Sequence, residues 1–501
     1  MDLGRMLAES SQRYSENIAL ICGEKKLTYR ALNQEANRLA HGLIHLGIKP
    51  GDRVAVLLNN SPEFVISYFA ILKAGASVVP LNTMFKEGEL KYILSNSRSR
   101  LVLTLSSFRE ILNKISPALP HLKHKVIFDK RWLLRDVSYV GLKKGQPINE
   151  PALDRGKEAD DVAAILYTSG TTGRSKGAML THNNLLSNVA SIKEAFKSVS
   201  PEVMLCVLPL FHAFAATVNM LFPFSFGSTM VIMKGFVAGD VLRAIAEHRV
   251  TIFSGVPPMY AVLANISPAK YNISSWRLAI SGGAALPVEV MHAFESKYKV
   301  LIYEGDGPTE CSPVTSVNPI GGKRKPGSIG LPVPGVEMKI VDEEGKYLPP
   351  EKIGEIVVRG PNVMKGYLNQ PEATAEAIKD GWFHTGDIGK KDRDGYFYIL
   401  DRKKDMVNVA GFNVYPREIE DVLYTHPKIA EAAVVGVLHD GLRGEVPKAF
   451  VVLREGEEMS REEVISYCQS KIANYKVPRY VEFRKDFPRT PIGKVLKRAL
   501  R

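Results

Sequence analysis

The sequence predicts an α/β protein, with a large N-terminal domain of α/β layers over residues 1–401 and a small α+β C-terminal domain over 402–501. Three observations carry this expectation. At 501 residues the chain exceeds what one hydrophobic core serves, so two or more domains are expected. Short apolar runs that end in glycine or other small residues recur through its longer part. Past Asp401 the charged stretch DRKKD interrupts the pattern, and a different alternation of strands and helix follows.

Leu32, Ala36, Leu39, Leu43 and Leu46 fall at about helical spacing, and Thr28 is placed to cap that helix. A Pro50-Gly51-Asp52 turn leads into the strand RVAVLL. A helix from about Pro62 to Ala74 and the strand ASVVP complete a strand–helix–strand unit of the parallel-sheet kind. The runs DVAAILYTSG, STMVIM, VTIFSGVP, RLAISGGAAL and VLIYEGDGPTE read as further strands. Ligands of open α/β sheets gather beyond the carboxyl ends of strands, so these glycine-rich ends are expected to converge on one nucleotide. Glycines that only permit tight turns are the plainer alternative. The most apolar stretch, Phe222 to Met233, is shorter than the ~20 residues a bilayer requires and reads as buried core. Beyond the charged stretch, AEAAVVGVL and PKAFVVLREG read as strands. Ser460 and Glu463 form a capping box for a helix through about Ala473, and YVEFRKDF reads as a last strand.

Composition narrows the function. Hydrophobic residues at 45% and charged residues at 24% are those of an ordinary soluble globular protein. The N-terminus has no apolar core behind a basic start, so no signal peptide is expected. The four cysteines are scattered without a CxxC pair, which argues against a disulfide framework or a zinc site and for a cytoplasmic location. A net charge of +13 is spread along the chain with no basic run interleaved with aromatics, which argues against nucleic acid as a partner. A basic surface that attracts a small polyanion fits better.

The stretch from Ala163 to Leu180, AAILYTSGTTGRSKGAML, has the make-up of an anion-binding loop. It fails the kinase and ATPase pattern G-x-x-x-x-G-K-[ST], because Gly177 follows Lys176. Hydroxyls at Thr168, Ser169, Thr171, Thr172 and Ser175, backbone freed by Gly170 and Gly173, and the Lys176 ammonium still suit a clamp on polyphosphate.

YTSGTTGRSKGAMLTHNNL resembles the phosphate loop of the adenylate-forming superfamily, which holds acyl-CoA synthetases, luciferases and peptide-synthetase adenylation domains. The motifs LPLFHAF, SGGAALP, EGDGPTECSP, GEIVVRG, WFHTGDIG, YILDRKKDMV, GFNVYPREIE and PRTPIGKVLKR follow in the family's order, so the resemblance covers essentially the whole chain. It implies ATP, Mg²⁺ and coenzyme A as cofactors and co-substrates, and a C-terminal domain that moves. Thr168, Ser169, Gly170, Thr171, Thr172, Gly173 and Lys176 would hold the β- and γ-phosphates. Glu310, with Thr168 nearby, would hold the metal, and Thr309 keeps its family place beside Glu310. Asp387 would accept from both ribose hydroxyls, Arg402 would add a donor, and Gly282, Gly283 and Ala284 would form a flat wall against adenine.

Lys494 would be the catalytic lysine, Lys404 a hinge residue, and Gly411 part of the thiol tunnel. His212 would flank the acyl site. One departure stands at Asp306, where relatives usually place a tyrosine that stacks on adenine; in the nucleotide site the aspartate would instead hydrogen-bond the adenine amine or a nearby backbone donor. No aspartate follows His212 through Met220, which disfavours amino-acid substrates. The implied activity joins a hydrophobic acid, a medium- or long-chain fatty acid, to AMP and then to coenzyme A. An aryl-CoA ligase is the alternative within the family, and a non-catalytic nucleotide-binding protein the one outside it. The reading leaves a homodimer open and expects no integral membrane segment.

Overall fold

The computed structural model describes residues 2–129, 136–152, 158–168, 175–198, 202–409, 412–438, 445–490 and 493–500. Thr28 caps the helix Tyr29–His45 through the Ala31 N–H, and the apolar stripe at Leu32, Ala36, Leu39 and Leu43 is buried. Ser61 caps the helix Pro62–Lys73, whose proline sits in the first turn, where a missing N–H costs nothing. Strands Arg53–Leu57 and Ser77–Pro80 on either side of that helix pair in parallel, as the strand–helix–strand pattern requires.

Two sheets build the large domain. The first has nine strands, and its centre is a parallel run of Thr229–Ile232, Val203–Cys206, Ile252–Gly255, Leu278–Ser281 and Ile302–Asp306. Three of the glycine-ended strands therefore do lie side by side. The second sheet has eight strands and includes Arg53–Leu57 and Ser77–Pro80. At its edge Val162–Thr168, Lys176–Thr181 and Gly366–Tyr367 run antiparallel to one another.

Here structure and expectation differ. The strand before the phosphate loop belongs to the second sheet, and it turns back as a hairpin instead of entering a helix. The helix begins later, at His182–Ala195, because Thr181 with Asn184 supplies its capping box.

A third, five-stranded antiparallel sheet carries Trp382–Lys391 beside Phe397–Arg402, with Asp387 and Arg402 as register partners. The small domain folds around its own core of Val407, Val414, Ile419, Leu423, Val434, Val451 and Val464. Its hairpin Ile429–Leu438 and Glu445–Leu453 is joined by the parallel strand Tyr480–Phe483. The capping box at Ser460 and Glu463 is present, but the helix Arg461–Gln469 stops short of Ala473 because its buried face ends at Cys468. The Phe222 to Met233 stretch is buried nearly throughout and divides between a short helix, Phe222–Phe224, and the strand Thr229–Ile232. A π-helix, Ala215–Leu221, precedes it. No helix among the described residues is long and apolar enough to cross a membrane.

Phe253, Tyr260, Trp276, Phe294 and Tyr298 pack ring against ring behind the central strands, and Phe294 is fully buried between three of them. Phe294→Ala is expected to cost about 3–5 kcal/mol, read as a lower denaturant midpoint for the large domain.

Candidate active site

Lys494 ends a tight turn. The Thr490 hydroxyl and amide hold both the Lys494 N–H and its carbonyl, at 3.1 and 2.7 Å. The turn delivers the side chain across the seam between the domains. Its Cε comes within 3.5 Å of where a Cβ on Gly283 would stand, and Gly283 itself has φ +82°. A side chain at Gly283 is thus excluded by its backbone conformation, and the space serves the lysine.

The ammonium arrives among carboxylates. Burial lowers its proton affinity and so does Arg402, while Asp306 and Asp387 oppose them. Arg402 Nε meets Asp387 Oδ1 at 2.7 Å, on the neighbouring strand. Burial pushes the Asp387 carboxyl up to about 6 against the pull of Arg402, with Asp306 adding to the rise. Asp306 is likewise raised by burial, opposed by Arg402 and Lys494, and its carboxylate takes the Gly307 N–H. The Asp306 backbone is fixed by two bonds from Thr315 to its carbonyl. Gly307 permits this turn, since a Cβ there would fall 1.3 Å from the Pro313 oxygen. Asp306 is thus a buried carboxyl group on which both Arg402 and Lys494 act.

A second cluster lies at the phosphate-loop hairpin. Thr168 Oγ1 donates to Glu310 Oε1 at 3.1 Å, and the Tyr367 hydroxyl donates to the same oxygen at 2.9 Å. Lys176 Nζ stands 5.0 Å from the centroid of the Tyr367 ring. The sequence candidates Ser169, Gly170, Thr171, Thr172, Gly173 and Gly411 lie outside the described residues. Among the described residues no group of three or more His, Cys, Asp or Glu side chains could hold a metal unaided.

His212 completes the floor. Its Nδ1 accepts from the Phe214 N–H at 3.2 Å, which leaves the proton of a neutral ring on Nε2. Burial, then Lys494, lowers its pKa to about 4, so the ring is neutral at ordinary pH. The Phe214 ring covers Gly282 at 3.4 Å from a Cβ position there, while Ala284 is exposed. Lys404 is an exposed residue of the turn after Phe397–Arg402.

Residues 7–368 match the AMP-binding enzyme family, and residues 418–494 match the AMP-binding enzyme C-terminal domain. The chain belongs to the AMP-binding enzyme family. This AMP-binding enzyme is 39% identical to a long-chain-fatty-acid–CoA ligase of Bacillus subtilis (strain 168), over 99% of its own length and 94% of the relative's. It is 38% identical to a feruloyl-CoA synthase of an Amycolatopsis species, over 96% of the chain and 94% of that protein. Its structure superposes on the anthranilate CoA ligase AuaEII, solved with anthranoyl-AMP, at a TM-score of 0.93 and 31% identity, covering 100% of the chain and 96% of that one. As an enzyme it is an AMP-forming acyl-CoA synthetase.

Two residues of this AMP-binding enzyme's site escaped the sequence reading. Tyr367 sits in MKGYLN with no local signal that its hydroxyl faces Glu310, 57 residues away. Glu304 is buried, accepts from the Leu286 N–H at 3.1 Å, and is raised by burial to about 7. Its place two residues before Asp306, on the same face of a strand, was the available clue.

His212 has a stability consequence. Its folded pKa of about 4 lies below the ordinary 6.5, so the unfolded chain takes up its proton first as pH falls. Its contribution is present above 6.5 and is lost progressively from there toward 4. His212→Phe is expected to flatten the fall of the thermal midpoint over that window.

Proposed function

We propose that this enzyme is an acid–thiol ligase for a hydrophobic carboxylic acid, a medium- or long-chain fatty acid, with ATP and coenzyme A as co-substrates. The observation that carries the proposal is Lys494 seated against Gly283, near enough to Asp306, Asp387 and His212 for their charges to act on one another. In the first half-reaction an oxygen of the acid attacks the α-phosphorus, and the bond to pyrophosphate breaks. Two anions must meet, so charge neutralisation matters more than a base. Lys494 serves here as the catalytic donor to the α-phosphate and the attacking carboxylate, while the His212 Nε2–H is a neutral donor beside them. In the second half-reaction the coenzyme A thiol attacks the acyl carbonyl, its proton is lost, and AMP leaves.

Asp387 and Arg402 take the ribose, Thr168 and Lys176 the outer phosphates, and Thr309 keeps Glu310 in place at the end of its motif. Glu310 and Thr168 fit a Mg²⁺ that also takes phosphate oxygens, since that ion is usually held by one or two carboxylates plus substrate. Bound there, it would neutralise phosphate charge. The domain boundary at 401/402, the hinge role of Lys404, the tunnel role of Gly411 and a cytoplasmic location belong to the same proposal. Buried Ala213, Ala215, Ala216, Val218, Met220 and Leu221 behind His212 support an apolar acyl chain. The feruloyl and anthranilate ligases among the relatives make an aryl acid the second reading. An ATP- and coenzyme A-dependent AMP-release screen over acids of graded length and aromaticity decides between them.

Lys494→Ala is expected to slow acyl-adenylate formation by roughly 10²-fold or more, measured by pyrophosphate exchange; unchanged exchange would refute the assignment. Asp387 must be ionised to accept both ribose hydroxyls. ATP affinity is therefore expected to hold above pH about 6 and to weaken as pH falls through that value, as affinity measured against pH would record.

A further inference from the structure

Strand parity places three side chains on one face of the phosphate-loop hairpin. Thr168 and Lys176 are register partners. Tyr367 is the partner of Ala178, two residues beyond Lys176, so it stands on the same face. Over that face lies Glu310, whose backbone carbonyl is pinned by the Met364 N–H at 2.7 Å. Glu310 Oε1 receives two hydroxyl protons, from Thr168 at 3.1 Å and from Tyr367 at 2.9 Å. Its Oε2 receives none from the described residues. The Tyr367 ring also carries the Lys176 ammonium at 5.0 Å. One phenol thus touches both the carboxylate and the loop lysine.

We propose that Tyr367 is a positioning residue that orients Glu310, with Oε1 tied and Oε2 turned toward the metal-bearing phosphates, and sets Lys176 beside them. The inference rests on the reading of Glu310 as the carboxylate that meets Mg²⁺. Outer-shell donors of this kind typically govern metal affinity by ten- to a hundredfold.

Tyr367→Phe removes only the hydroxyl and leaves the ring for Lys176. The experiment is ATP binding by calorimetry, in chelator and in saturating Mg²⁺, on the wild-type chain, Tyr367→Phe and Glu310→Gln. The expected result for Tyr367→Phe is an unchanged affinity in chelator, about tenfold loss of the gain that Mg²⁺ gives, and an unchanged thermal midpoint. A Mg²⁺ gain equal to wild type, or an equal loss with and without Mg²⁺, overturns the inference. Glu310→Gln separates the two levels. If it keeps the full Mg²⁺ gain, the metal reading of Glu310 fails; if it loses the gain while Tyr367→Phe does not, only the role of Tyr367 fails.

Discussion

Removing one ammonium from water is the constraint on which the rest of the site depends. A lysine withdrawn from solvent loses hydration worth several kcal/mol unless anions offset it. Asp306 and Asp387 favour the charged lysine, while burial and then Arg402 oppose it. Asp306 ends one strand and Asp387 lies within another, in two different sheets, and the lysine stands on a turn of the small domain. The charged groups therefore meet from two sheets and a turn of the small domain. Glycine at 283 answers a different need, since its φ of +82° is one that side chains rarely adopt and the lysine lies only at ordinary contact distance.

Asp306 changes how that balance works in this chain. An aromatic ring at its place would offer a nucleobase a flat partner and would leave the lysine with one anion fewer. An aspartate offers a carboxyl group instead, which burial pushes toward its protonated form and Arg402 and Lys494 pull back. Asp401 reinforces closure from the seam. Its buried carboxylate accepts the Arg402 N–H at 2.7 Å and the Arg417 N–H at 2.9 Å, so the last strand of one domain caps the first helix of the next.

Much of this was legible in the sequence, and the misses have physical causes. Caps were readable because Thr28 and Ser460 act on N–H groups three residues away. Strands ending in glycine were readable because turns need that residue. The hairpin at the phosphate loop was not, since Val162–Thr168 is as apolar as a parallel strand and only its partner reveals its direction. Tyr367 and Glu304 were missed for a related reason. Their roles come from contacts with Glu310 and Leu286, which no periodicity within their own strands records.

The hairpin has a consequence for how such a loop can change over time. Thr168 and Lys176 face the same way because they are opposite one another on an antiparallel ladder. The loop between them can gain, lose or exchange residues while that pairing stands. A slip of one step in the pairing would turn Ser175 or Gly177 to the ligand side and the lysine to the other. What inheritance has to guard here is the even–odd count along two strands, more than the letters of the loop they hold.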